Sequence, residues 1–381
     1  MAALHSQLGV FAMAGAVLVS AAMLTAGPLD PPAGPVAPTN KTLHEVEPRI
    51  PLSPTTTPGD ADSIFRITQP GSYYLTGNLT GVSGKSGIEI ASSYVTVDLN
   101  GFTLTGVSGS LSGITRDVPG RTGLMLRNGS VVGWGAHGVQ FTHTDSNGAG
   151  GGRIDSVIAR ANAGSGFYTA DGSILTHCHA AQNGDAGFNG SNHTAYTDCV
   201  ATGNVGSGFV DGFGCTLTGC QSRGNQVHGF DLNGTSVYSN CDATNNGQNG
   251  FVGLRSTFVG CGASTNSQWG FDVSISTVQS CSSHSNTLGG ILVTSSSTIL
   301  DNSVVGGASG IRVTGVDNRI EGNNSTGATI CIEVTGTGNL IIRNSASGGT
   351  RYSIVAGNSA GPIVTSAGMG ALTNPAANFD Y

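Results

Sequence analysis

A single short unit is written again and again between Gly166 and Gly310. Gly-Phe recurs at Gly166-Phe167, Gly187-Phe188, Gly208-Phe209, Gly229-Phe230, Gly250-Phe251 and Gly270-Phe271, then becomes Gly290-Ile291 and Gly310-Ile311, stepping by 21 residues and later by 20. Three other registers keep the same step. They are Cys178, Cys199, Cys220, Cys241, Cys261 and Cys281; the small residues Ala180, Ala201, Ser222, Ala243, Ala263 and Ser283; and Asn183, Asn204, Asn225, Asn246, Asn266 and Asn286. A period of this length without helical patterning means a solenoid in which each turn of chain stacks on the last.

The L-x-x-L-x-L frame of leucine-rich repeats is missing, and Gly150-Gly151-Gly152-Arg153 is only a passing likeness to the calcium-binding nonapeptide G-G-x-G-x-D. What remains is short β-rich pieces such as Ser276-Thr277-Val278-Gln279 between Gly, Asn and Ser turns. Earlier coils are longer. Gly87-Ile88-Glu89-Ile90, Gly113-Ile114 and Gly138-Val139 lie 26 and 25 residues apart, the extra residues falling in loops at 115–122 and 142–153. Val95 to Gly106, with Asn100-Gly101, is echoed by Leu124 to Gly133, with Asn128-Gly129.

These Asn-Gly-x-hydrophobic segments, Gly-Phe/Ile starts and Asn-rich turns resemble the right-handed parallel β-helix repeat proteins of the pectate-lyase-like superfamily, over about residues 63 to 365. The resemblance implies an all-β fold, a single-stranded right-handed parallel β-helix of about twelve coils with N- and C-terminal caps. Strands stacked about 4.8 Å apart would then make a rod of roughly 55 Å. That superfamily includes polysaccharide lyases, hydrolases, epimerases, phage tailspikes and surface proteins, so fold alone does not choose an activity.

The chain divides into a signal peptide or anchor at 1–27, a proline-rich linker at 28–62, the β-helix at 63–361 and a C-terminal cap at 362–381. Leu8 to Ala26 is uncharged and apolar apart from Ser20 and Thr25, with small residues where a signal peptidase would cut. A secreted or cell-surface location follows, with membrane attachment only if that segment stays uncleaved. Nine of the thirteen prolines fall between Pro28 and Pro58, which reads as a stalk. Ile64-Phe65-Arg66-Ile67 and Tyr73-Tyr74-Leu75 are expected to close the first open end. A formal charge of −7 without a basic stripe argues against nucleic acid, and a monomer is expected.

The repeated residues read as structure: the Phe register as an interior stack, the Cys register as free thiols in an interior column, and the Asn register as turns with left-handed backbone. Cys215 and Cys331 fall outside the column. His177-Cys178-His179 does not converge, and no metal site is assigned.

Chemistry is sought where the repeat is broken or outward side chains line up. Two residues past each repeat glycine the side chains should project from the first sheet, at Gln140, Tyr168, Asn189, Val210, Asp231, Val252, Asp272, Leu292 and Arg312. In the lyases and hydrolases that the chain resembles, that face holds the sugar. Five of the thirteen arginines lie in residues 116 to 160. There Arg116, His143 and Asp145 are the candidate catalytic groups, and Arg121, Arg127 and Arg153 join Gln140, Tyr168, Asn189, Asp231, Trp269 and Asp272 as candidate substrate-binding groups. Arginines would pair uronate carboxylates, and calcium is the one cofactor this chemistry admits. Asp231 and Asp272 stand two coils apart, about 9.6 Å from the strand spacing, near the upper end for an inverting carboxylate pair. The plain alternative is that long loops carry solvated charge. The sequence therefore points to an exported β-helix that binds an acidic polysaccharide, with cleavage left open, or to a non-catalytic surface or matrix protein.

Overall fold

The computed structural model describes residues 47–381 apart from 117–119, 142–149, 233, 366 and 368–372. The apolar N-terminal segment, His143 and Asp145 lie outside the described residues. Arg49–Tyr381 is one compact unit, and no helix among the described residues is long and apolar enough to cross a membrane.

Most coils lay down three short strands, and in two early coils the second and third merge into Met125–Val132 and Arg153–Arg160. Phe209–Asp211, Thr216–Thr218 and Gln221–Arg223 are one such set. The first strand of each coil joins a 14-stranded parallel sheet, and the other two join a 28-stranded sheet. The 14 strands of the first sheet correct the expected count of about twelve coils upward. The additional rungs are at the ends, where Ser63–Ile67 pairs with Ser86–Ile90 and Thr350–Ile354 pairs with Ile330–Val334. Their repeat glycine is replaced by Ile64 and Arg351, which hides them from the periodicity. The first rung is itself covered: Ile50–Pro51 pairs with Gly71–Tyr74, and Pro58 bridges antiparallel to Phe65. At the other end Asn378–Asp380 pairs with both Ser345–Ser347 and Ile363–Thr365.

The corners explain the registers. Each is turned by a residue with left-handed backbone, such as His177, Asp198, Gly219 and Asn240 at one corner, Gln182, Gly203, Gly224 and Asn245 at the next, and Gly172, His193, Gly214 and Thr235 at the third. The residue immediately after each points inward and is buried. Asn183 and its equivalents are therefore not the turning residues. They form an interior ladder in which Asn204 Oδ1 accepts from the Asn183 backbone N–H at 3.0 Å and from Asn183 Nδ2 at 2.9 Å. Asn204 Nδ2 in turn donates to the Ala180 carbonyl at 3.2 Å and to Asn225 Oδ1 at 2.9 Å.

The cysteine column is a weaker version of the same device. All eight cysteines are free and buried. Cys281 Sγ accepts from the Cys261 N–H at 3.3 Å, and Asn302 Oδ1 continues the column by accepting from the Cys281 N–H at 2.9 Å. Hydrogen bonding with neighbouring thiols, together with burial, pushes Cys241 and Cys261 up to about 12, so they stay protonated. Cys215 belongs to the third corner column, where its N–H donates to Ser236 Oγ at 3.3 Å. Cys331 stands where the repeat has glycine, since Ser309 pairs with Ile330 and Ile311 with Ile332. It packs with Ala328 and Ala346, and the Asn register has by then passed into Gly307.

That glycine is otherwise required by a close approach. A Cβ on Gly187 would lie 2.8 Å from Asn204 Nδ2 and 2.7 Å from the Gly208 carbonyl oxygen. Beside it, Phe167, Phe188, Phe209, Phe230, Phe251 and Phe271 stack with centroids 4.6 to 5.0 Å apart and planes within 9°. The coil rise sets this spacing. Tyr196, Tyr238 and Phe258 meet the stack edge-on from the opposite wall, the arrangement the ring quadrupoles favour.

One carboxyl is enclosed in this core. Asp211 is 3% exposed, with Tyr196 Oη donating to its Oδ1 at 2.7 Å. A Cβ at Gly190 would collide with that oxygen. Burial holds the Asp211 carboxyl well above the usual range, against the opposing bonds from Tyr196 and the Gly190 backbone.

Two outcomes follow from this interior. Asn204→Ala strands two donors of Asn183, and urea unfolding should show a loss of about 3 kcal/mol, whereas outward Thr202→Ala should change stability by less than about 0.5 kcal/mol. For Asp211, the folded chain holds a proton that the unfolded chain releases near pH 4. Stability from this group is therefore full below about pH 4 and falls as pH rises toward the folded value. The melting temperature of Asp211→Asn should decline less from pH 4 to 8 than that of the parent; parallel curves would mean that Asp211 is ionised in the fold.

Candidate functional site

The 14-stranded sheet carries one outward row. Strand pairing places Arg66, Glu89, Thr115, Gln140, Tyr168, Asn189 and Val210 opposite one another on consecutive rungs. Asp231, Val252, Asp272, Leu292, Arg312, Glu333 and Ser353 continue the row. Residues on either side of each point inward, by the alternation of a strand. Near the far end Arg312 Nε lies 3.4 Å from Glu333 Oε2.

A second row flanks it, formed by the residue before each repeat glycine. Here side chains accept backbone N–H groups of the neighbouring coil: Ser207 Oγ from His228 at 3.2 Å, His228 Nδ1 from Asn249 at 3.2 Å, and Asn249 Oδ1 from Trp269 at 3.0 Å. Earlier, His137 Nδ1 accepts from Ser165 at 3.0 Å, and the Ser165 hydroxyl donates to Asp185 at 2.8 Å. In both histidines the accepting Nδ1 places the proton of the neutral ring on Nε2. The two rows meet at Asp272, whose Oδ2 takes a 3.3 Å bond from Asn249 Nδ2. Burial raises the Asp272 carboxyl, with His228 and Asn249 opposing. Burial lowers His228, with Asp231 and Asp272 opposing.

At the head of the sheet a cleft of about 300 Å³ is lined by Asp62, Ser86, Glu89, Leu111, Ser112, Thr115, Arg116, Ala136 and Gln140. Ser112 Oγ donates to Gln140 Oε1 at 2.7 Å on its floor. Oxygens of Asp60, Asp62 and Glu89 gather within 4.8 Å of one another at its edge. Arg66 Nε lies 3.1 Å from Asp60 and 3.3 Å from Glu89, and Lys85 Nζ donates to the Asp60 carbonyl. These cations already compensate the carboxylates, so the group does not fit a calcium ion unless Arg66 is displaced. Burial raises Glu89, Arg66 opposes it, and Asp60 and Asp62 reinforce it.

The residues singled out by sequence are spread over three environments. Gln140, Tyr168, Asn189, Asp231 and Asp272 are on the outward row, with the Tyr168 ring 4.9 Å from His137. Arg127 and Arg153 lie on strands of the 28-stranded sheet. Arg127 bonds Asp98 there at 3.1 Å through Nε. Arg116 is 1% exposed. Its Nη1 lies 3.3 Å from the Gly150 carbonyl and 3.5 Å from that of Arg121, so it ties the bases of both early loops together. Trp269 is 8% exposed and packs against Gly289, where a Cβ would meet its ring at 2.3 Å, so little of the ring is open to a sugar. The early charged stretch is therefore not one patch. Asp60, Asp62, Arg66 and Glu89 were missed, although the offset that selects Gln140 also selects Glu89 from Gly87.

Among solved structures the chain is similar to the A-modules of two mannuronan C-5 epimerases of Azotobacter vinelandii. For AlgE4 the identity is 16%, the match covers 76% of this chain and 90% of that one, and the TM-score is 0.57. For AlgE6 the identity is also 16%, the coverage is 82% and 90%, and the TM-score is 0.53. The chain is a right-handed parallel β-helix repeat protein. No protein-family model and no curated protein matches its sequence. Within this β-helix the outward row and its flanking histidines bring hydrogen-bonding and titratable side chains together on one sheet.

His228 should titrate below about 6.5, the value for an ordinary histidine, and lower still in Asp272→Asn, where a charge that favours the imidazolium is gone. NMR of the ring carbons reads this directly. A midpoint above the ordinary value would mean that the carboxylates, not burial, govern the ring.

Proposed function

We propose that this protein is an exported polysaccharide-binding β-helix whose ligand lies along the outward face of the 14-stranded sheet. The observation that carries the reading is the outward row itself. Hydrogen-bonding and aromatic side chains at Gln140, Tyr168, Asn189, Asp231 and Asp272 share one line, with Val210 and Val252 on the rungs between the last three. A stack of this kind offers one contact per coil to an extended polymer, whereas a compact metabolite would need a deep enclosed pocket. The similarly folded A-modules belong to epimerases of mannuronan, itself a polysaccharide, and the apolar segment Leu8 to Ala26 supports export. Binding on this face does not require Arg127 or Arg153, which belong to the other sheet.

Affinity electrophoresis against a panel of neutral, acidic and amino polysaccharides, with and without calcium, tests the reading. At least one glycan should retard the protein. Tyr168→Ala combined with Asn189→Ala should weaken that binding about tenfold, the loss of one or two central contacts, and Arg127→Ala with Arg153→Ala should leave it unchanged. Release of unsaturated or new reducing ends would add cleavage to binding; retardation without product would assign a binding or adhesive module. Retention that depends on the two arginines would place the ligand on the wrong sheet for this reading.

A further inference from the structure

The ligand class follows from the charge of the middle coils, and this step rests on the binding face proposed above. From Val210 to Leu292 the outward row alternates apolar and acidic: Val210, Asp231, Val252, Asp272, Leu292. Between residues 186 and 292 the only arginines are Arg223 and Arg255, and the only lysines of the whole chain are Lys41 and Lys85. Arg223 lies on a strand of the 28-stranded sheet, and Arg255 turns a corner with left-handed backbone. The cations that do stand on the row, Arg66 and Arg312, are ion-paired with Glu89 and Glu333. His228, the remaining base beside these carboxylates, accepts a backbone N–H through Nδ1, as a neutral ring does, and burial lowers its pKa.

A uronate polymer laid here would bring its carboxylates over Asp231 and Asp272 with no facing cation, and like charges at such range repel. A protonated amino sugar reverses the sign. Two coil steps separate the carboxylates by about 9.6 Å, with an apolar residue between and beyond them for the C–H faces of the sugar rings. Partial burial makes Asp272 more responsive to an ammonium partner, because a desolvated carboxylate has more to gain from a charge-assisted bond. Asn249 already supplies a hydrogen bond to Oδ2 of that carboxylate.

We infer that the middle of the face selects a glycan bearing free amino groups, such as a glucosamine polymer, with Asp231 and Asp272 as its specificity residues.

Isothermal titration with a glucosamine hexamer, its fully N-acetylated counterpart and a hexameric polyuronate, the last with and without calcium, decides the matter at a pH where the amines are protonated. The free-amine hexamer should bind at least about tenfold more tightly than the acetylated one, about 1.4 kcal/mol. That margin should shrink with added salt and vanish in Asp231→Asn/Asp272→Asn. If the double variant fails to fold, Asp231→Asn alone, on the half-buried outward position, should still remove part of it. Equal affinity for free and acetylated hexamers, or preference for the polyuronate in either calcium condition, overturns this inference and leaves the polysaccharide-binding reading standing. Absence of binding to every glycan in the panel of the preceding section overturns both.

Discussion

The structure depends on one constraint: every coil must hydrogen-bond to the next at a constant rise. Once the strands of successive coils pair in register, equivalent side chains are superposed at the strand spacing, and whatever stands at an interior position must tolerate its own copy directly above. Phenylalanine meets the demand by stacking. Asparagine meets it because one oxygen can accept two donors from the coil on one side while its amide donates to carbonyl oxygens. Serine, threonine and cysteine are smaller answers to the same demand. The three polar columns at the corners are there because the corners break the strand pairing, leaving a backbone N–H in the interior that needs an acceptor. A column of side-chain acceptors supplies one at each level.

This accounts for what the sequence made legible. The period, the Phe stack, the Cys and Asn columns and the outward row all repeat, and repetition survives in one dimension. The two terminal strands were not legible as further rungs, the first being legible only as a closing cap, because Ile64 and Arg351 replace the marker glycine, although the backbone pairing is the same. The left-handed residue lies one position before the asparagine register. Asparagine has a strong preference for that conformation, but here the corner is turned by the residue before it, whose identity varies from histidine to glycine because only its backbone matters. Cys215 went unplaced for a similar reason, since its column is mostly serine and a mixed register does not announce itself.

Which candidate side chains face outward was partly legible, and parity explains which part. Strand geometry sends side chains alternately in and out, so the position two after a repeat glycine is outward and the one three after it is inward. Gln140, Tyr168 and Asp231 obey the first rule. Arg116 is three after Gly113, and Asp211 is three after Gly208; both are interior. Arg116 resembles a surface group by its charge and its neighbours in sequence, but the parity that a strand imposes places it inside. Arg127 and Arg153 fail for a different reason: nearness in sequence along a three-sided coil puts residues on different faces, so a cluster of arginines in the chain need not be a cluster in space.

The same geometry separates stability from recognition. Interior columns are constrained level by level, so a change there is felt by the coils on both sides, as the Asn204 and Asp211 environments illustrate. An outward position has no such obligation beyond the strand pairing of its backbone, and the variety from Arg66 to Ser353 reflects that freedom. Alternation of Val, Asp, Val, Asp and Leu in this row therefore has no structural requirement behind it. The strand pairing does not call for carboxylates two coils apart, and Asp272, though it accepts one bond from Asn249, is partly buried at a cost in free energy. A pattern that the fold neither needs nor rewards is best explained by a ligand that reads it, and on a face where the remaining cations are already paired, that ligand carries the positive charge.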